Sequence, residues 1–352
     1  MSDIIGTGAA GAPLSCHTGC VMIDQRSASQ PDRQSGQSPS FISAPAGPSV
    51  PAADAKLFPG RTFVSTVLDA LDSKKKMTGE LVGQYMQRAI MAGLFVGIFF
   101  TSYFVIVAAF SGTGVPAGFP VIGRVLAAIT FGWALVLIFY TNSELLTSNM
   151  MIVSIGAYHH RINWPRSLHI LVLCFAGNLV GGLVVAILLR FSTIDGGAVM
   201  NQMIAAVNLK TGYLLAGPMG VADLFVRAIF CNFCINIGML MVYNGKLTND
   251  FTKCVIMVVA VFVFAFLGFE HSVADSVLFL IVGLNGVGNP LLEIAAIVVI
   301  LLGNFVGGGL LIGLNFAVMN NDQPHGNEPV VVQFHKSALK DIDAHAPAAG
   351  KA

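Results

Sequence analysis

Long apolar runs, broken by short polar stretches, fill the chain from residue 89 to 318, and small-residue and polar sequence flanks them. Four runs, 89–111, 169–189, 222–243 and 291–318, each suit one helix of about 20 or more residues, the length that crosses a hydrocarbon core. Two others do not. The runs 121–158 and 252–284 hold 38 and 33 residues, long for one crossing and short for two crossings plus a turn. Both are interrupted by polar residues: Thr141-Asn142-Ser143-Glu144 with Thr147-Ser148-Asn149 in the first, Glu270-His271-Ser272 with Asp275 in the second. Non-helical backbone is tolerated at membrane depth where it lines a cavity. The pattern therefore predicts an all-α membrane protein of six transmembrane helices, with spans two and five broken.

Residues 1–77 are rich in Ser, Pro, Gly, Ala and Gln and read as a disordered N-terminal tail. Near its end, 64–71 has the pattern of a short amphipathic helix lying along the membrane surface. A six-span transport domain over 78–319 and a polar C-terminal tail over 320–352 complete the organisation. Composition excludes a soluble domain: of 352 residues 55% are hydrophobic and 11% charged, and the mean hydropathy is +0.75. The net charge of +1 and the lack of any basic, aromatic-interleaved surface give no reason to expect nucleic acid as a partner. Cys231 and Cys234 have redox or zinc spacing, but their apolar flanks favour packing, and no metal is expected. The basic loops around residues 159–166 and 246–253, with Lys74-Lys75-Lys76, place both termini in the cytoplasm by the positive-inside rule. The plasma membrane is the expected location, with an organelle envelope as the alternative.

The chain also repeats itself. Gly177-Asn178-Leu-Val-Gly-Gly182 recurs as Gly303-Asn304-Phe-Val-Gly-Gly308, and Asn178 to Asn304 is an offset of 126 residues. Glu144 and Glu270, at the two interruptions, are also 126 apart. Arg88-Ala89-Ile90 faintly echoes Arg227-Ala228-Ile229 at another offset. Three spans per half force the halves into opposite orientations, an inverted 3+3 repeat. That arrangement puts a pathway between the halves, with the broken helices aimed at it.

At the second interruption stands His271, an ionisable side chain inside an apolar segment. Such a group costs about 2.5–3.5 kcal/mol on insertion scales and generally faces a cavity or a partner. A titratable imidazole there points to proton-linked transport of something small.

Tyr140-Thr-Asn-Ser-Glu144-Leu-Leu-Thr147-Ser148, Ala228-Ile-Phe-Cys231-Asn232-Phe and Gly268-Phe-Glu270-His271-Ser272-Val-Ala resemble the signature stretches of the formate/nitrite transporters, in order, across all six spans. The resemblance implies a homopentamer whose protomers each enclose a pore in an aquaporin-like helix arrangement. It implies small monovalent anions as cargo, formate first and nitrite next, moved with protons, while hydrosulfide and short monocarboxylates remain alternatives. By position, His271 resembles the central pore histidine and Thr147 the threonine facing it. Asn232 and Asn304 resemble paired pore asparagines. Phe131, Leu135, Leu145, Leu146 and Phe264 fall at the apolar constrictions, and Lys210 resembles a vestibule lysine. Glu144 and Glu270 resemble the glutamates that brace the breaks, accepting backbone N–H groups freed there. Departures include Asn142 for the usual glycine and Leu146 for a frequent phenylalanine. No cofactor is called for: the 25 phenylalanines and 14 methionines are bilayer and interface composition.

Two other classes compete. A water channel would carry two Asn-Pro-Ala boxes, which this sequence lacks. An intramembrane hydrolase would use Ser272 or Ser148 with His271 and Asp275, but Ser272 adjoins His271 and points about 100° away on a helix. Nucleophile and base must lie within hydrogen-bond reach.

Overall fold

The computed structural model describes residues 58–112 and 114–321, and all the regular structure among them is helical. Helix α1 (Arg61–Glu80) precedes α2 (Val82–Ala109), α3 (Phe119–Tyr140), α4 (Leu146–Tyr158) and α5 (Trp164–Arg190). Then come α6 (Ala198–Leu215), α7 (Pro218–Tyr243), α8 (Asp250–Leu267), α9 (Ser272–Leu284) and α10 (Pro290–Asn304). The last helix continues through a π-wound stretch, Phe305–Leu314, into α11 (Asn315–Met319). Six helices are long and apolar enough to cross a membrane: α2, α3, α5, α7, α8 and the continuous segment Pro290–Met319. The chain is an integral, multi-pass membrane protein.

Apolar residues Phe63, Val64, Val67, Leu68 and Leu71 share one face of α1, at the three- and four-residue spacing of a helix, and all are buried. The helix is longer than the expected 64–71. Its apolar face is covered by protein, with the Phe63 ring edge-on to Phe316 at 6.2 Å. Lys74 pairs with Glu144, and Asp72 with Arg161, so charges in the second half anchor the helix too. The expected boundary at 77/78 falls within its last turn. The remainder of both expected tails, 1–57 and 322–352, lies outside the described residues. A further difference is α6, eighteen residues between the third and fourth spans where only a connection was expected.

Both interruptions are helix ends of one design. Helix α3 stops at Asn142, whose φ of 53° is left-handed, and Ser143 N–H reaches back to Ile138 O at 2.9 Å. Helix α8 stops at Gly268, φ 71°, and Phe269 N–H reaches back to Phe264 O at 2.9 Å. This is the six-to-one closure that a left-handed residue permits at a helix terminus. Asparagine, one of the few non-glycine residues that visit this region readily, replaces glycine at the first break for that reason. Each pair of equivalent residues is again separated by 126.

The repeated glycine motifs bring helices into backbone contact. A Cβ on Gly181 would stand 2.1 Å from Ile90 O, and one on Gly307 would stand 2.1 Å from Ile229 O. Helix α5 thus lies against α2 as the π-wound segment lies against α7. The Arg88-Ala89-Ile90 and Arg227-Ala228-Ile229 echo marks the two surfaces these glycines meet.

Candidate functional site

Helices α4 and α9 begin where the two breaks end, and their tips meet. Thr147 Oγ1 lies 3.3 Å from His271 Nε2, both side chains buried. His271 is also the N-cap of α9, its Nδ1 accepting the backbone N–H groups of Val273 and Ala274 at 3.2 Å each. An acceptor of two N–H groups carries no proton, so the ring proton sits on Nε2 and is donated to Thr147 Oγ1. The equivalent position in the first half is Leu145, which leaves α4 without a side-chain cap.

Three cavities line up through this point. One, of about 470 Å³, is bordered by Lys74, Arg88, Leu135, Glu144 and Leu145. The second is only about 20 Å³ and is walled by Phe131, Leu135, Leu145, Val261 and Phe264 with His271. That volume suits about one water-sized molecule. The third, of about 330 Å³, is bordered by Arg124, Phe131, Lys210, Glu270, His271 and Asp275. Leu135 and Leu145 are shared by the first pair; Phe131, Phe264 and His271 are shared by the second. Two wider cavities, each with charged side chains in its wall, are therefore separated by a short apolar neck whose one polar wall is the imidazole. Phe131 and Phe264 meet edge to face at 6.0 Å, and Phe264 stacks on His271 at 5.8 Å.

The remaining residues singled out from the sequence divide into those in this pathway and those behind it. Leu146 is buried but borders none of the three cavities; its backbone N–H is held by Asn178 Oδ1 at 3.0 Å. Asn304 borders none of the three cavities either. Its Nδ2 donates to Ala228 O at 2.8 Å and Glu270 O at 2.9 Å, and its Oδ1 accepts Ser272 N–H at 2.9 Å. Its amide is fully used in tying the second break to α7. Asn178 does the same in the first half, donating to Ala89 O and Glu144 O at 2.8 Å each. Asn232 is occupied as well: Nδ2 donates to Asn304 O at 2.8 Å and Thr147 O at 3.2 Å, and Oδ1 accepts from Asn236 at 2.7 Å. Both asparagines also lie outside the cavity walls, because each sits where a helix approaches a break closely enough to claim its backbone.

The carboxylates have a different task from the expected one. Glu144 accepts from Lys74 and from Asn149 Nδ2 at 3.1 Å, while Glu270 pairs with Lys210, which also meets Asp275 at 2.9 Å. They hold lysines beside the vestibules, and the freed backbone is left to the asparagines. Burial alone would lower the Lys74 ammonium, yet the charge and hydrogen bond of Glu144 outweigh it and hold the group above its ordinary value. In the sequence Lys74 stands in a run of three lysines and reads only as part of a basic flank. The hydrolase reading has no support in this geometry. His271 faces Thr147 and its own helix, and neither Ser148 nor Ser272 presents its hydroxyl to it.

The sequence profile described as "Formate/nitrite transporter" matches residues 62–318. The chain is 28% identical over 244 residues to the "Uncharacterized transporter YwcJ" of Bacillus subtilis (strain 168), covering 68% of this chain and 90% of that one. It is 28% identical over 258 residues to the "Formate channel FocA" of Escherichia coli (strain K12), covering 66% and 84%. It is 26% identical over 227 residues to the "Nitrite transporter NirC" of the same organism, covering 62% and 78%. Among solved structures, an "FNT family ion channel" superposes with a TM-score of 0.63 at 22% identity, over 73% of this chain and 98% of that one. A "Pentameric formate channel with formate bound" gives 0.54 at 21% identity, over 68% and 98%. With a profile that spans all six crossings, the chain belongs to the formate/nitrite transporter family, a family of transporters and channels and not of enzymes.

Proposed function

We propose that the protein moves small monovalent anions, formate first, along the path through the His271 neck, in a pH-dependent manner. The observation that carries this is the neck itself: about 20 Å³ of apolar space with one hydrogen-bond donor in its wall, between two wider cavities that carry charged side chains. An unpaired charge does not cross such a neck cheaply, whereas the protonated acid is a small neutral molecule. His271 contributes through Nε2–H, which exchanges its hydrogen bond to Thr147 for one to the substrate oxygen as it passes. Losing that proton would leave an anionic ring, unless Nδ1 gained one and released Val273 and Ala274. The neutralising proton therefore travels with the substrate from vestibule water. Asn232 and Asn304 act by fixing the two breaks.

Nitrite is the second reading, favoured by the likeness to the nitrite transporter. Labelled formate uptake into proteoliposomes, challenged with unlabelled nitrite, hydrosulfide and acetate, tests the order. Inhibition by nitrite at concentrations below those of formate would reverse it. The matched breaks support an inverted repeat, and the likeness to a pentameric channel supports a homopentamer in the bilayer. Basic loops support cytoplasmic termini, and the plasma membrane is the location we propose. Protease protection of tags at residues 1 and 352 in sealed vesicles tests the topology.

A further inference from the structure

Each vestibule holds a buried lysine, and neither lysine has charge to spare. Lys74 is paired with Glu144, a neutral group as a whole. Lys210 lies between Glu270 and Asp275, so that cluster is negative with both carboxyls ionised and neutral with one protonated. Neither cluster offers an incoming anion a net positive charge.

Each vestibule also has one arginine without a carboxylate. Arg88 borders the cavity of Lys74 and Glu144, and its one side-chain contact is a 3.3 Å approach of Nη1 to Met77 Sδ. Arg124 borders the cavity of Lys210, Glu270 and Asp275. Its Nη2 donates to Phe266 O at 2.9 Å, the guanidinium lies over the Phe266 ring at 5.6 Å, and it also hydrogen-bonds the Tyr103 hydroxyl. Both arginines are exposed, and neither forms an ion pair among the described residues. A guanidinium has five donors in a planar fork, matched to the two oxygens of a carboxylate or nitrite. Most of those donors are unused at both positions.

We infer that Arg88 and Arg124, and not the buried lysines, are the cations that draw the substrate anion into the two vestibules. The lysine clusters then hold the vestibule walls and the breaks, and the arginines set how much anion collects at each mouth. The inference rests on the anion-transport reading. Charged clefts raise on-rates by about 10–10³-fold, an effect that falls with ionic strength. Screening lengths are about 30 Å at 0.01 M salt and about 3 Å at 1 M.

The test is the concentration dependence of labelled formate and nitrite uptake into proteoliposomes at those two salt levels. It compares wild type, Arg88→Gln, Arg124→Gln, and the corresponding lysine variants. At low salt each glutamine variant is expected to raise KM about 3–10-fold with the maximal rate within about twofold, and lysine to restore KM. At high salt the wild-type KM should rise to meet the variants. An unchanged KM at low salt, a lost maximal rate at constant KM, or lysine variants as impaired as glutamine would overturn the inference. Glutamine variants that fail to fold leave the decision to the lysine variants and to the wild-type salt dependence. Wild-type protein that moves neither anion overturns the transport reading, and this inference with it.

Discussion

Asn178 and Asn304 make the same three hydrogen bonds: each Oδ1 accepts the backbone N–H that opens a half-helix, and each Nδ2 donates to the carbonyl of the break glutamate and to one carbonyl of the neighbouring helix, Ala89 in α2 or Ala228 in α7. Two of these bonds replace ones that an unbroken helix would have made for itself, and the third ties the break to the neighbouring helix. Removing either amide leaves two buried backbone groups at the break without that partner, the half-helix N–H and the glutamate carbonyl, at about 1–3 kcal/mol each. Asn178→Ala and Asn304→Ala should therefore lower the detergent-solubilised Tm by similar amounts. A pore role unique to Asn304 would instead appear as lost uptake at unchanged Tm.

Lys74 and Glu144 couple α1 to the first break from positions that are nearly buried. Lys74→Met strands the carboxylate and should cost about 3–5 kcal/mol, whereas Lys74→Met with Glu144→Gln should recover most of that. The ammonium is held above its ordinary value, so its contribution is complete below the unfolded value near 10.5 and is lost as pH rises through the folded one. Thermal melts of wild type should show this alkaline loss, and melts of the double variant should lack it.

Thr147 orients the His271 ring through one hydrogen bond of 3.3 Å. Thr147→Val keeps the shape and leaves Nε2–H unpaired. We expect maximal formate uptake to fall about tenfold, equivalent to about 1.4 kcal/mol, with the assembly intact. Thr147→Ser should recover most of the rate.

Leu145 closes the neck on the side away from His271 and borders both the first vestibule and the neck. Leu145→Ala should admit larger anions such as lactate, read as faster vesicle swelling, at a stability cost of about 2–5 kcal/mol. An unchanged size limit would place the narrowest point elsewhere.

Much of this was legible in the chain. Apolar runs too long for one helix and too short for two, with polar residues inside them, mark both breaks. The common 126-residue offset marks their equivalence, because Glu and Asn recur in identical settings. His271 stood out because an ionisable group at that depth needs a reason. What stayed hidden depends on which backbone a side chain reaches. Asn304 looks like a pore amide until its three partners are seen. Leu146 and Leu145 are indistinguishable by composition, yet one turns to the neck and the other does not. Helix α6 escaped because Asn201, Gln202, Asn208 and Lys210 gave its sequence the look of a loop, while Met203 and Val207 supply the buried face.

The most direct test of the account is labelled formate uptake into proteoliposomes across an imposed pH gradient, comparing wild type with His271→Ala. Wild-type uptake should rise as the outside is acidified and collapse with an uncoupler. The variant should lose most of the rate, since the neck then has no donor for the substrate. A His271→Ala protein that keeps both the rate and its pH dependence would contradict the account.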